Sequence, residues 1–324
     1  MQDGPDRPVG GLAVRAPAGV ELRPAGRDDL DAVLSLLAER ETVPAPDIQP
    51  ETARARWDQI IGSVDASPYL AIADGATVGL LLLTFRRRLN FATWEAWVTE
   101  LVVAPEFRRR GVGRALLRVA IEEWRLRGAH RISVELANRE EAGAALLTGM
   151  GFEDWMLRFR QEPIRLDDRG GAVAPPDLNI RRIRDDDVDA VTRLVAEMGP
   201  RRSPVPDRMD AVRRSFREVI AMPGDRSIVA EQDGRLVGIC TLETRGTLRT
   251  EAREAWIPEL VVTEPMRGQG IGRRLLATAL QTAADGEAGA AVLESGRTRE
   301  IAQAMYRSRG FVMVGSVFTL LRDQ

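Results

Sequence analysis

Two hydrophobic rhythms alternate along this chain, and their whole succession occurs twice. Apolar runs flank an Asp-Gly pair in Tyr69–Leu83 and again in Ile228–Leu242, which predicts two strands around a tight turn in each case. A further strand-like run follows each hairpin, Glu95-Ala-Trp-Val-Thr-Glu-Leu-Val-Val103 and Glu254-Ala-Trp-Ile-Pro-Glu-Leu-Val-Val262. The rhythm then changes. Leu116, Leu117, Ala120, Ile121 and Trp124 in one copy, and Leu275, Leu276, Ala279, Leu280 and Ala283 in the other, recur at the spacing of an amphipathic helix packed on a sheet. Each copy continues with a strand (131–136; 290–294), another helix, and a last strand after a Gly-Phe pair. Trp97 to Trp256, Gly111 to Gly270, Glu135 to Glu294 and Gly151 to Gly310 are all 159 residues apart, so a whole domain is duplicated. The openings, Leu22-Arg-Pro-Ala-Gly-Arg-Asp-Asp-Leu and Ile180-Arg-Arg-Ile-Arg-Asp-Asp-Asp-Val, match at 158; both place carboxylates where a helix dipole is positive.

A chain of 324 residues is long enough for two cores, in agreement with the repeat. The element order predicts an α/β fold of two tandem domains, each a mixed, mostly antiparallel sheet flanked by helices. Residues 1–18, rich in Gly, Pro and Arg, are expected to be a disordered tail; 19–165 and 178–324 are the two domains; the Gly- and Pro-rich stretch 166–177 is the linker. With 44% hydrophobic residues and a net charge of −2, nothing points to nucleic acid. No apolar run approaches the ~20 residues that span a bilayer, and the opening residues lack the basic and apolar regions of a signal peptide, so a cytoplasmic protein without membrane partners is expected. One cysteine, Cys240, and one histidine, His130, provide neither an internal disulfide nor a metal site, and both are expected to be structural. All 46 basic residues are arginines.

The candidate chemistry lies where each motif strand enters its helix. Arg108-Arg-Arg-Gly-Val-Gly113 and Arg267-Gly-Gln-Gly-Ile-Gly272 leave backbone N–H groups converging at the positive end of a helix dipole, which is an anion cradle. Glycine is needed because a Cβ would hold phosphate oxygens away. A Walker loop requires a lysine that this chain lacks, and the dinucleotide fingerprint requires glycine where Leu116 and Leu275 stand. The shared pattern Leu-Val-Val-x-x-x-x-Arg-x-x-Gly-x-Gly, with the later Gly-Phe ending, resembles the GNAT superfamily of acyl-CoA-dependent N-acyltransferases, over nearly the whole chain outside tail and linker.

The resemblance implies a tandem protein using acetyl-CoA (coenzyme A). By position, the pyrophosphate would meet Arg108, Arg109, Arg110, Gly111, Val112, Gly113 and Arg114 in one copy, and Arg267, Gly268, Gln269, Gly270, Ile271, Gly272 and Arg273 in the other. The pantetheine arm would pair with the backbone of Leu101, Val102 and Val103, or Leu260, Val261 and Val262, and Asn138 would stand near the coenzyme. Glu100 and Glu259 occupy the place of a carboxylate that binds or deprotonates the acceptor amine; paired strand carboxylates are the alternative for both. Tyr306 matches a tyrosine that protonates the departing sulfur, or else serves packing, whereas the first copy has Leu147 there. The C-terminal copy is therefore expected to be the better catalyst. Trp97 and Trp256 are expected as core anchors. Arg86-Arg-Arg88 and the arginine-rich 199–225 are expected to border acceptor pockets and to favour an amine carrying an anionic group. The expected function is N-acetylation of a primary amine of a small molecule or peptide by direct attack. Against it stands a non-catalytic acyl-CoA-binding or regulatory protein, and an internal pseudo-dimer or a homodimer remains open.

Overall fold

A computed structural model describes residues 14–40, 44–89, 91, 93–166, 175, 177–196, 208–221 and 226–322. The N-terminal half contains strand β1 (Glu21–Pro24), helices α1 (Leu30–Ala38) and α2 (Pro50–Gly62), strands β2 (Ala66–Ala73), β3 (Ala76–Arg86) and β4 (Glu95–Val103), helix α3 (Val112–Leu126), strand β5 (Arg131–Ala137), helix α4 (Glu141–Thr148) and strand β6 (Glu153–Gln161). The C-terminal half repeats this with β7 (Asn179–Arg182), α5 (Val188–Ala196), α6 (Arg208–Ile220), β8 (Ile228–Gln232), β9 (Arg235–Cys240), β10 (Glu243–Arg245), β11 (Arg253–Ile257), β12 (Leu260–Val262), α7 (Ile271–Asp285), β13 (Ala288–Gly296), α8 (Glu300–Ser308) and β14 (Val312–Leu321).

The local signals are realised. Asp74-Gly75 and Asp233-Gly234 all have positive φ and close the two predicted hairpins. Each opening is locked by the same device: Asp29 accepts from Arg23 and from the Gly26 amide, and Asp187 from Arg181 and the Arg184 amide. Every residue of the two predicted helix stripes is buried. Trp97 and Trp256 are buried too, each donating its indole N–H to a carboxylate, Glu135 and Glu294. Most of the expected linker, 167–174 and 176, lies outside the described residues, as do residues 1–13 of the expected tail.

The two halves exchange their last strands. One ten-stranded sheet runs β1-β2-β3-β4-β5-β14-β6-β13-β11-β10, so β14 from the end of the chain lies between β5 and β6 of the N-terminal half, and β6 pairs with β13 of the C-terminal half. A second sheet runs β12-β9-β8-β7. The halves also exchange loops. Leu89, after β3, is fully buried among Val191, Leu194, Val212 and Phe216 of the other half, and Leu248, between β10 and β11, is buried in the N-terminal core.

Between the halves lies a buried charge cluster. The Arg86 guanidinium is sandwiched between Trp97 and Trp256, 3.0 and 3.9 Å from the ring centroids. Glu95 accepts from Arg86, Arg88, Arg131 and Ser133, and Arg88 also donates to Glu294 at 2.7 Å. Arg86-Arg-Arg88, expected to border an acceptor pocket, lie at this junction. Arg86 and Arg88 neutralise carboxylates at the junction, and Arg87 reaches Glu218 of the second half at 2.6 Å.

Candidate active site

In both halves the motif strand and its parallel neighbour separate midway. Pairing of β4 with β5 ends at Val98–Val134, leaving one edge of 99–103 open; pairing of β11 with β13 ends at Ile257–Leu293. In the second copy Pro258 has no N–H to continue the ladder, so the strand breaks and β12 pairs only with β9. The open backbone edges of Leu101–Val103 and Leu260–Val262 are the predicted pantetheine-pairing segments. Beyond them, Arg108 Nε donates to the Val103 carbonyl at 3.2 Å and Arg267 Nε to the Val262 carbonyl at 3.1 Å. These arginines fasten each turn to its strand.

The two cradles have matching backbone geometry. Gly111 and Gly270, with φ of 88° and 81°, stand immediately before α3 and α7, and no side chain caps the first helical turn. Two residues earlier the chain is again left-handed, at Arg109 in the first copy and Gly268 in the second. The first-turn amides of Val112, Gly113 and Arg114, and of Ile271, Gly272 and Arg273, lie beyond the intrahelical ladder, which begins with Ala115 and Arg274 bonding to Gly111 and Gly270. This is the geometry of a phosphate nest, so the residues present fit the pyrophosphate of a coenzyme. Arg110 and Gln269 are exposed at the turns. In the N-terminal half the expected tail intervenes: Val14 packs on the core and the Pro17 ring lies beside Gly111.

The acceptor sides differ more sharply. Glu100 receives two guanidinium groups: Arg40 at 3.0 Å, and Arg249 from the other half at 2.5 and 2.9 Å. Arg249 sits on the exchanged loop. Arg56 donates to the Thr247, Thr250 and Glu251 carbonyls of that loop, while Glu251 accepts from Thr52 and from the Gln49 amide. The first copy's carboxylate is thus neutralised and roofed by the second.

Glu259 is placed otherwise. It is 2% exposed, Oε2 accepts from the Thr241 hydroxyl at 2.5 Å, and Oε1 is buried without a hydrogen-bond partner among the described residues. With Pro258, Thr241, Leu242, Ser227, Glu243, Val219 and Arg87, it lines a narrow cleft. Burial pushes its carboxyl above the ordinary range, and the opposing pull of Arg88, Thr241 and the Leu89 amide is smaller. A carboxylate of raised basicity that lines a cleft is better suited to take up a proton than an ordinary glutamate.

Tyr306 on α8 is 8% exposed, between Phe159 and Phe311, and burial pushes its phenol up to about 12. It therefore stays protonated at neutral pH, as a proton donor must. Cys240 is buried in the same core cluster as Tyr306, and burial pushes its thiol up. Leu147, at Tyr306's place in the first copy, is core. Asn138 spends its amide on the Met313 carbonyl at 3.1 Å, anchoring β14. The His130 ring stacks on Phe91, 3.9 Å between centroids, and burial lowers it to about 3.

Sequence reasoning missed Thr241, the Leu89 amide and Arg249, whose roles arise across β9 or across the junction. Of the arginines expected to recognise an anionic acceptor, Arg201 and Arg202 lie outside the described residues, and Arg213 is engaged by Asp189 and Asp210. Among the described residues there is no cluster able to hold a metal ion, and no helix is long and apolar enough to cross a membrane.

A family model for acetyltransferases (GNAT family) matches residues 30–152 and 191–311. The aminoalkylphosphonate N-acetyltransferase of Salmonella typhimurium is 30% identical over 122 residues, 37% of this chain and 77% of that protein. An N-alpha-acetyltransferase of Mycobacterium tuberculosis is 35% identical over 101 residues, 31% of this chain and 61% of its own. Over the whole chain, a GCN5-related N-acetyltransferase from Sphaerobacter thermophilus superposes with a TM-score of 0.65 at 18% identity, covering 95% of this chain and 97% of that one. A tandem GNAT protein from the clavulanic acid biosynthesis pathway does so with 0.60 at 19% identity, covering 94% and 99%. Both show a similar fold.

Proposed function

We propose, from the premise that this chain belongs to the acetyltransferase (GNAT) family, that its C-terminal half transfers an acetyl group from acetyl-CoA to a primary amine of a small molecule or peptide by direct attack. The observation that carries this assignment is the contrast between Glu259, with a buried and uncommitted oxygen at a cleft, and Glu100, held by two arginines. Acetyl-CoA supplies the acyl thioester. The Gly270 cradle and the open edge of β12 hold and align it; Glu259 takes the proton from the acceptor nitrogen; strand amides stabilise the carbonyl oxygen; and the Tyr306 hydroxyl returns a proton to the sulfur as the C–S bond breaks and the C–N bond forms. The relatives named above include enzymes named for acting on aminoalkylphosphonates and on α-amino groups, so both a small amine and a peptide terminus belong in the screen.

The N-terminal half keeps a cradle but has Leu147 where a phenol is needed, Glu100 clamped, and Pro17 beside its turn. These features favour a half that binds coenzyme without transferring its acyl group, or that only supports its twin. Thiol release from acetyl-CoA across an amine panel tests the assignment. We expect Glu259→Gln to lower turnover by roughly 10²-fold or more, the scale of losing a general base, and Glu100→Gln to leave it near wild type. The reverse ranking would move catalysis to the first half. Absence of any acetyl-CoA binding by calorimetry would remove both the enzyme and the binding-only alternative.

A further inference from the structure

We infer that Thr241 is the residue that positions the catalytic carboxylate. The inference rests on Glu259 being the base and goes beyond it. Thr241 follows directly on β9, 1% exposed, and faces Glu259 across the β9–β12 pair. Its backbone N–H bonds the Glu259 carbonyl at 2.9 Å, which fixes the separation of the two residues. Its hydroxyl oxygen accepts the Glu259 N–H, also at 2.9 Å. A hydroxyl has a single proton, and with that N–H aimed at a lone pair the proton is directed to Glu259 Oε2, 2.5 Å away. The result is a closed ring of hydrogen bonds that commits Oε2 and leaves Oε1 without a hydrogen-bond partner among the described residues.

The first copy shows what happens without the hydroxyl. The residue 159 positions earlier is Leu82, paired in register with Glu100, and it has nothing to donate. There the carboxylate swings into the embrace of Arg40 and Arg249 instead. One side-chain difference on the neighbouring strand thus separates an ion-paired carboxylate from a poised one. Around Glu259 the other charged or titratable groups are Arg88 and Glu95 of the N-terminal half, Cys240 on β9, and Arg87 and Glu243 lining the cleft. None of them donates a hydrogen bond to Oε2 among the described residues.

Loss of the hydroxyl removes a charge-assisted hydrogen bond that favours the ionised carboxylate, so the proton is held more tightly. In the full-length protein, Thr241→Val should lower kcat by roughly ten-fold and shift the acid limb of the kcat/KM profile to higher pH by about one unit, with acetyl-CoA affinity close to wild type and a melting temperature lower by a few degrees because the buried Glu259 N–H loses its acceptor. Thr241→Ser, which keeps the donor, should restore both. If the valine variant does not fold, Thr241→Ala provides the same comparison against serine. An acid limb that stays in place in the folded Val or Ala variant, or a serine variant as impaired as valine, overturns the inference while leaving Glu259 as base. Full activity of Glu259→Gln instead sinks the parent assignment, whatever Thr241 does.

Discussion

At the residue scale, Glu100 and Glu259 show that a motif position does not determine the use of a carboxylate; its partners do. Glu100 has two cationic neighbours, Arg40 and Arg249, and is held in ion pairs with both. Glu259 has a hydroxyl, an amide and a more distant arginine, too few to offset burial, and its proton affinity rises. The sign of the pH dependence follows. A base must be ionised, so kcat/KM should fall as pH drops through the raised Glu259 value, and its midpoint should lie above the ~4.3 of a free glutamate. Glu100→Gln should leave that midpoint unmoved but deprive Arg249 of its carboxylate and leave Arg40 with Glu140 alone, at a cost of roughly 1–3 kcal/mol in stability by denaturant titration. A midpoint that moves with Glu100 and not with Glu259 would reverse the roles of the two halves.

At the scale of elements, much was readable because it is local. An Asp-Gly turn needs only its two residues, a helix stripe only its own period, and a strand-to-helix turn only the glycine spacing, so hairpins, helices and both glycine turns could be placed from the chain alone. Strand exchange could not, because β6 and β14 follow the same Gly-Phe signal and have similar patterns, and nothing within either strand names its partners. The exchange does leave one trace, at Gly315. There a Cβ would run into the Leu136 carbonyl oxygen of β5, a backbone obstacle that side-chain motion cannot relieve. Such an approach exists only because the C-terminal strand lies in the N-terminal sheet. Gly315→Ala should therefore destabilise the protein by roughly 1–3 kcal/mol, the range for overpacking, or weaken β14–β5 pairing detectably by amide exchange around Leu136 and Ala137. An alanine variant as stable as wild type would argue against this register.

At the scale of the molecule, the duplication builds a single unit whose halves are not interchangeable. Each sheet segment is completed by a strand from the other half, each core takes in a leucine from the other half, and Glu95, Glu254 and Glu294 are held low in pKa by arginines assembled at the junction. For Glu254, burial alone would raise the carboxyl, but Arg245, Arg158 and Arg160 outweigh it and bring it to about 2. Its contribution to stability is present above the unfolded value and is lost as pH falls toward 2, so the denaturation midpoint of the whole chain should fall with it. The same geometry makes the C-terminal half incomplete on its own. Residues 178–324 lack β6, which covers the edge of β13, and lack Leu89, which fills the core beneath α5 and α6 and presents its amide to Glu259. Their own β14 would have lost both of its neighbours. Expressed alone, this segment should be poorly soluble or inactive with acetyl-CoA and a competent amine, and co-expression with residues 1–177 should restore activity by letting the strands cross. Full turnover from the isolated segment would mean that β14 can fold back beside β13 in place of β6, and that catalysis needs nothing from the N-terminal half.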